Sequence, residues 1–260
     1  PSSGQSANYL SNVGEIENKG IELSIGLQLV DTKDWNVRLN ASYNTNHNKV
    51  LSIGNAVPFA IGGFSSRTVQ TVVAEGEPVG FIRGYKAVLN PDNSLKEILP
   101  LQNLGSTLPT AYGNFSLSAS YKNLSFMLSG DYQYGAYVHS FDRQFRFSKG
   151  LKDDAIPEKA LEGLDQGANW LNFTNFFVEK SDFLKIRNIG IAYDYKPKKY
   201  LKSVNLAFNV YNPFAFTASS VDPEAALAGA RSQGAVAVGG LNYSSYSTPR
   251  QYVGTIRVSF

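Results

Sequence analysis

The side chains of this chain that could do chemistry are scattered, and their spacing argues against catalysis. His47 and His139 each lack a second ligand at metal-binding spacing, so a polar loop or rim position is expected for both. Asp153, Asp154 and Glu158 are close enough to serve acid–base work or to hold Ca²⁺. They lack the Asp-x-Asp-x-Asp-Gly spacing, and a solvated loop face is the expectation. No serine stands in a Gly-x-Ser-x-Gly elbow, and no Gly-x-Gly spot opens a helix, so neither acyl hydrolysis nor phosphate binding is indicated. The chain has 0 Cys, which removes disulfides and thiolate metal or redox sites. No enzyme activity, metal or cofactor is expected.

Binding is the better destination for the aromatic residues. Trp170, Phe173, Phe176 and Phe177 gather just before a strand, and Tyr243 and Tyr246 lie in the last long connection. Aromatic faces stack on sugars and anchor protein interfaces, so these six are candidate ligand- or partner-facing loop residues. The alternative is a girdle at lipid headgroup level. Nucleic acid is not an expected partner, because a net charge of +3 is small and no basic, aromatic-rich RNA motif occurs.

The elements that carry these residues read as strands. Ile21, Leu23, Ile25, Leu27 and Leu29 alternate with polar residues or glycine, and after Asp31-Thr32-Lys33-Asp34 the pattern resumes in Trp35, Val37, Leu39, Ala41 and Tyr43. A second pair runs from Phe115 to Tyr121 and from Leu124 to Tyr132, separated by Lys122-Asn123. A third spans Ile189 to Tyr193 and Val204 to Val210, and the last strand ends on Phe260. Two weaker strands, Arg67 to Ala74 and Val79 to Leu89, join through Gly76-Glu77-Pro78, which brings the expectation to about nine strands.

One apolar and one polar face per strand suit an antiparallel transmembrane β-barrel wall. Half of each strand faces a polar lumen, which accounts for a mean hydropathy of only -0.20. No apolar run reaches the ~18 residues of a membrane helix. Tight turns near 31–34, 76–78, 122–123 and 196–203 alternate with long stretches near 46–64, 90–111, 138–180 and 217–249. Outer-membrane barrels keep short turns periplasmic and long loops extracellular, so the carboxy terminus is expected in the periplasm, with lipid as a partner. Arg38, Asp131 and Arg257 then become candidate lumen charges, which either contact solute or a plug inside the barrel or pair with neighbouring lumen charges and water. The basic turn with Lys196, Lys198, Lys199 and Lys202 either meets anionic lipid or a periplasmic protein, or is simply solvated. Phe260 is the barrel-terminal aromatic. A passive or structural barrel and, less well supported, a soluble β-sheet binding module remain open on these grounds.

Six phrases in order carry a family resemblance: Asn12-Val13-Gly14-Glu15-Ile16-Glu17-Asn18-Lys19-Gly20-Ile21-Glu22; Gly76-Glu77-Pro78-Val79-Gly80 through Gly84-Tyr85-Lys86; Phe183 through Ile189; Tyr211-Asn212-Pro213-Phe214; Asp222-Pro223-Glu224; and Pro249-Arg250. Together they resemble the carboxy-terminal barrel of SusC/RagA-type TonB-dependent outer-membrane transporters, over roughly residues 12 to 260. Pro213 stands where that family's phrase has leucine. The resemblance implies a 22-stranded barrel with a plug domain, of which residues 1–260 supply a carboxy-terminal portion, with the plug and amino-terminal strands outside this chain. It further implies import of a bulky nutrient, an oligosaccharide or a peptide, a SusD-like lipoprotein over the loops, and TonB acting through the plug.

Overall fold

The computed structural model describes residues 14–63, 69–197, 201–224, 239–243 and 245–260. Asn12, Val13, Arg67, Lys198 and Lys199, named above, lie outside the described residues. The first strands are β1 (Glu15–Lys19), β2 (Glu22–Asp31), β3 (Trp35–Thr45), β4 (His47–Ser52), β5 (Phe59–Gly63), β6 (Gln70–Val73), β7 (Phe81–Leu89) and β8 (Leu95–Gly105). Next come β9 (Ala111–Tyr121), β10 (Leu124–Tyr134), β11 (Tyr137–Ser140), α1 (Phe141–Ser148) and α2 (Gln166–Asn169), with 3-10 helices at Glu158–Leu161 and Trp170–Phe177. The chain closes with β12 (Val178–Lys180), β13 (Phe183–Tyr195), β14 (Ser203–Thr217), β15 (Leu241–Asn242) and β16 (Gln251–Ser259).

Seven strands make one sheet in the order β2-β3-β9-β10-β13-β14-β16, every pair antiparallel. They are 9 to 15 residues long, which matches the ~9–11 residues a tilted strand needs to cross a bilayer. Period-two alternation sorts the residues by face. One row of cross-strand partners reads Leu27, Leu39, Leu117, Leu128, Ile189, Val210, Tyr252. A parallel row on the other face reads Gly26, Asn40, Ser116, Ser129, Asn188, Tyr211, Gln251. The register is therefore fixed across all seven strands, since a one-residue slip in any pair would mix the two rows. The apolar face is not covered by protein: Leu27 of this row, and Ile25, Ile191, Phe208 and Ile256 on the same face, are exposed.

The nine expected strands all form, but they divide seven to two. β6 and β7 belong to a separate four-stranded sheet, β5-β6-β7-β8, and Gly76-Glu77-Pro78 turns within it. Their residues are buried on both faces, Thr71, Val72, Val73, Phe81 and Ile82 among them, which is why their alternation is weak in sequence. The sorting of connections by length survives this change. Within the large sheet the short turns are 32–34, 122–123 and 196–202, and the long ones are 46–110, 135–182 and 218–250.

The long connections carry structure of their own. Phe147, Phe173, Phe177, Ala87, Ile156 and Ala160 form one core, and Val69, Ile82, Phe141 and Leu241 a second, so all three excursions contribute to one loop body. The Asn175 side chain accepts from Ala87 N at 2.9 Å and donates to Ala87 O at 3.3 Å, clamping the second excursion to β7. β15 pairs in parallel with β11, which brings in the third.

Candidate functional site

Where the large sheet meets the loop body, a bulge gathers charge on its polar face. Arg187 has no cross-strand partner, because the register of β13 skips it against both β10 and β14. β14 answers with two unpaired residues, Asn212 at φ 52° and Pro213. Proline has no N–H to give a ladder, and the bulge is where none is needed; its carbonyl accepts from Arg250 Nη2 at 2.5 Å. The departure Pro213 thus fits the local backbone.

A bulge re-aims side chains, and Arg187 is turned onto Asp131 and Glu224. Its Nη2 donates to Asp131 Oδ2 at 2.8 Å and to Glu224 Oε1 at 2.5 Å, and its Nε donates to Asp131 Oδ1. Beside it Lys185, only 4% exposed, donates to Asp222 Oδ1 at 2.6 Å and Glu224 Oε2 at 2.5 Å. The Asp222-Pro223-Glu224 segment is thereby tied to the inner wall. Burial opposes ionisation of Asp222 and Glu224, but the Lys185 and Arg187 cations outweigh it and hold both carboxyls below their ordinary range.

Of the three charges expected in the lumen, Asp131 is in this cluster. Arg38 and Arg257 lie on the same face, cross-strand from Ser118 and Asn205, and form no ion pair among the described residues. Sequence reasoning overlooked Lys185, Arg187, Asp222 and Glu224 as a group. The signal available was two cations in Phe183-Leu184-Lys185-Ile186-Arg187 and two carboxylates in the Asp-Pro-Glu phrase, 35 to 39 positions on.

The six candidate aromatics have three different places. Phe173 and Phe177 are 0% exposed and fill the first core, so neither offers a face to a ligand. The 3-10 helix Trp170–Phe177 points them inward, Phe147 packing at 5.8 Å from Phe173 and 5.5 Å from Phe177. Trp170 and Phe176 are half-buried against these cores. Tyr243 meets Phe141 edge-on at 5.1 Å with its other side exposed, and Tyr246 is 93% exposed. Phe260 follows β16 and is also exposed. Other aromatics gather at the short-turn end, where the Trp35 and Tyr121 rings lie tilted with centroids 4.5 Å apart and Tyr193 and Tyr195 are exposed.

The remaining polar candidates are structural. His139 is fully buried instead of lying on a rim: its Nε2 sits 2.6 Å from Gln144 Oε1. Gln144 spends its nitrogen on Thr174 Oγ1 and Trp170 O, so the ring nitrogen facing its oxygen must donate. Burial pushes the imidazole pKa down to about 4. Asp153 is half-buried and takes a bidentate contact from Arg143, so it is no solvated loop carboxylate. Glu158 stays exposed, paired with Lys152. No group of three or more His, Cys, Asp or Glu could hold a metal among the described residues.

No protein-family model matches this chain. Curated relatives do. TonB-dependent receptor P26 of Formosa agariphila is 25% identical across 96% of this chain and 30% of its own length. TonB-dependent receptor P3 of the same organism is 23% identical across 98% and 30%. Among solved structures, the RagAB peptide transporter superposes over 100% of this chain and 31% of its own, with a TM-score of 0.69 and 22% identity. The RagAB peptide importer in its closed-closed state gives 0.70 at 21% identity over 96% and 30%. In sequence this chain is similar to TonB-dependent receptors, and in fold to the RagAB peptide transporter. These relatives are receptors and transporters of the outer membrane, not enzymes. The TonB-dependent receptor similarity spans less than a third of their length.

Proposed function

We propose that this chain is a wall section of a TonB-dependent outer-membrane importer of bulky nutrients, an oligosaccharide or a peptide. One observation carries this reading: an unbroken apolar row runs across all seven strands, back to back with a row of Gly, Asn, Ser and Gln that only Tyr211 interrupts. A sheet in lipid cannot leave edge N–H and C=O groups unpaired, so β2 and β16 require further strands beside them. Residues 1–260 are then a carboxy-terminal portion, with the plug and amino-terminal strands elsewhere. The short turns and Phe260 face the periplasm, and the loop body faces outward, beneath a SusD-like lipoprotein. TonB acts through the plug.

Deleting TonB from cells that carry the full-length protein is the direct test. Uptake of its nutrient should cease while the protein stays in the outer membrane. Single-channel conductance and uptake that persist without TonB would replace this reading with that of a passive barrel.

A further inference from the structure

We infer that the apolar face of the sheet holds a seat for one anionic phospholipid, with an acyl chain in a hollow over Gly254 and the phosphate at Lys196 and Lys202. The inference rests on the membrane-wall reading, which puts this face in lipid. The hollow measures about 490 Å³, and its lining includes Ile191, Tyr193, Leu206, Phe208 and Ile256 around Gly254. These residues form two neighbouring rows on the apolar face, Ile191-Phe208-Gly254 and Tyr193-Leu206-Ile256. Gly254 opens the hollow. A Cβ there would meet nothing within 4 Å among the described residues, because the Phe208 ring opposite stacks with Tyr252, centroids 6.5 Å apart, instead of covering it. In a bilayer such a gap forfeits dispersion contacts until an acyl chain fills it.

The headgroup chemistry comes from the adjoining turn. Tyr193 precedes Lys196 by three residues and Leu206 follows Lys202 by four, ~10–13 Å along the strands. That separation fits within the ~15 Å of hydrocarbon in one leaflet, so a chain in the hollow brings its phosphate to the lysines. Both lysines are exposed, and neither forms an ion pair among the described residues. Asp194, the nearest carboxylate in sequence, belongs to the other face, where it accepts from Asn205 Nδ2 at 2.8 Å. No Asp or Glu occurs between 195 and 203. A phosphate supplies the missing anion, and lysine binds it as a point charge. Tyr195, exposed between the hollow and the turn, lies where an amphipathic ring meets the headgroup level. A second copy of this chain would not answer the charge: upright in the same membrane, it sets its own basic turn at the same depth, cation against cation.

The test places the purified full-length protein in nanodiscs of phosphatidylglycerol and phosphatidylcholine with identical acyl chains, releases it into mild detergent and counts bound lipid by native mass spectrometry. Phosphatidylglycerol should be retained about tenfold over phosphatidylcholine. Gly254→Leu fills the hollow without a clash and should hold one phosphatidylglycerol fewer, whereas Gly254→Ala should keep it. Lys196→Glu combined with Lys202→Glu balances the four lysines of the turn to zero net charge and should bring the two lipids to equal retention. Retention of neither lipid, no preference in the unaltered protein, phosphatidylglycerol unchanged in Gly254→Leu, or a preference that survives the lysine reversal would overturn the seat. Any of these in a protein that still needs detergent removes the seat alone. Recovery in the soluble fraction without detergent removes the membrane-wall reading.

Discussion

Lys185 is the residue on which the inner-wall cluster turns. Replacing it with Met leaves Asp222 and Glu224 with one cation between them in a largely buried place, and stranding a buried charge costs on the order of 3–5 kcal/mol. The expected result for Lys185→Met in the full-length protein is release of the Asp222–Glu224 segment, read as new protease cleavage there. Lys185→Arg should remain protected. His139 makes a second prediction, with its sign set by burial. Its pKa is about 6.5 unfolded and about 4 folded, so between those values the unfolded chain binds a proton that the folded one refuses. Stability of the loop body should hold above pH 6.5 and fall by about 3 kcal/mol toward pH 4. Hydrogen exchange of the α1 amides in the full-length protein, followed against pH, reads this directly, and protection that does not change between pH 6.5 and 4 would contradict it. Neither role was visible in sequence. A lone histidine looks the same whether it is solvated or sealed, and the burial of His139 depends on Gln144 and Thr174 arriving from different segments.

At the scale of strands, legibility tracked solvent. Hairpins with one face toward an apolar phase and one toward a polar one print a period of two, and all seven large-sheet strands were readable for that reason, from Leu23 through Ile256. β6 and β7 have both faces covered by protein, so their alternation fades and their sheet could not be assigned. The bulge at Arg187 was equally hidden, since one unpaired residue leaves little mark on an apolar pattern. Glycine supplies the test here. Phe115 is the cross-strand partner of Gly130, and a Cβ on Gly130 would fall 2.5 Å from both the Phe115 ring and Lys185 O. Gly130→Val should displace the ring and cost about 1–3 kcal/mol, as overpacking does, measured as a lower denaturant midpoint of the full-length barrel in detergent micelles. Ser129→Ala, one place along on the polar face, should leave that midpoint unchanged within about 0.5 kcal/mol.

For the whole molecule, the exposed apolar face predicts behaviour that separates a lipid-embedded sheet from a sandwich. The full-length protein should partition with membranes, need detergent for extraction, and stay folded in cold SDS. Recovery in the soluble fraction without detergent would favour the binding-module alternative. The aromatic candidates show what whole-molecule context does to a sequence reading: Trp170, Phe173, Phe176 and Phe177 are neighbours in the chain, yet two became core and two became its margin, because α1 and β7 closed over one side of their helix. Tyr243 and Tyr246 kept an open face.

The two loop-body cores have a kinetic implication. Their residues come from three excursions, each separated from the next by a hairpin of the large sheet, so closing them requires distant stretches of chain to be brought together first by strand pairing. Contacts that span so much sequence form late. The body is therefore the final piece to set during assembly, and Trp170, wedged against both cores, is a built-in clock for the moment it does.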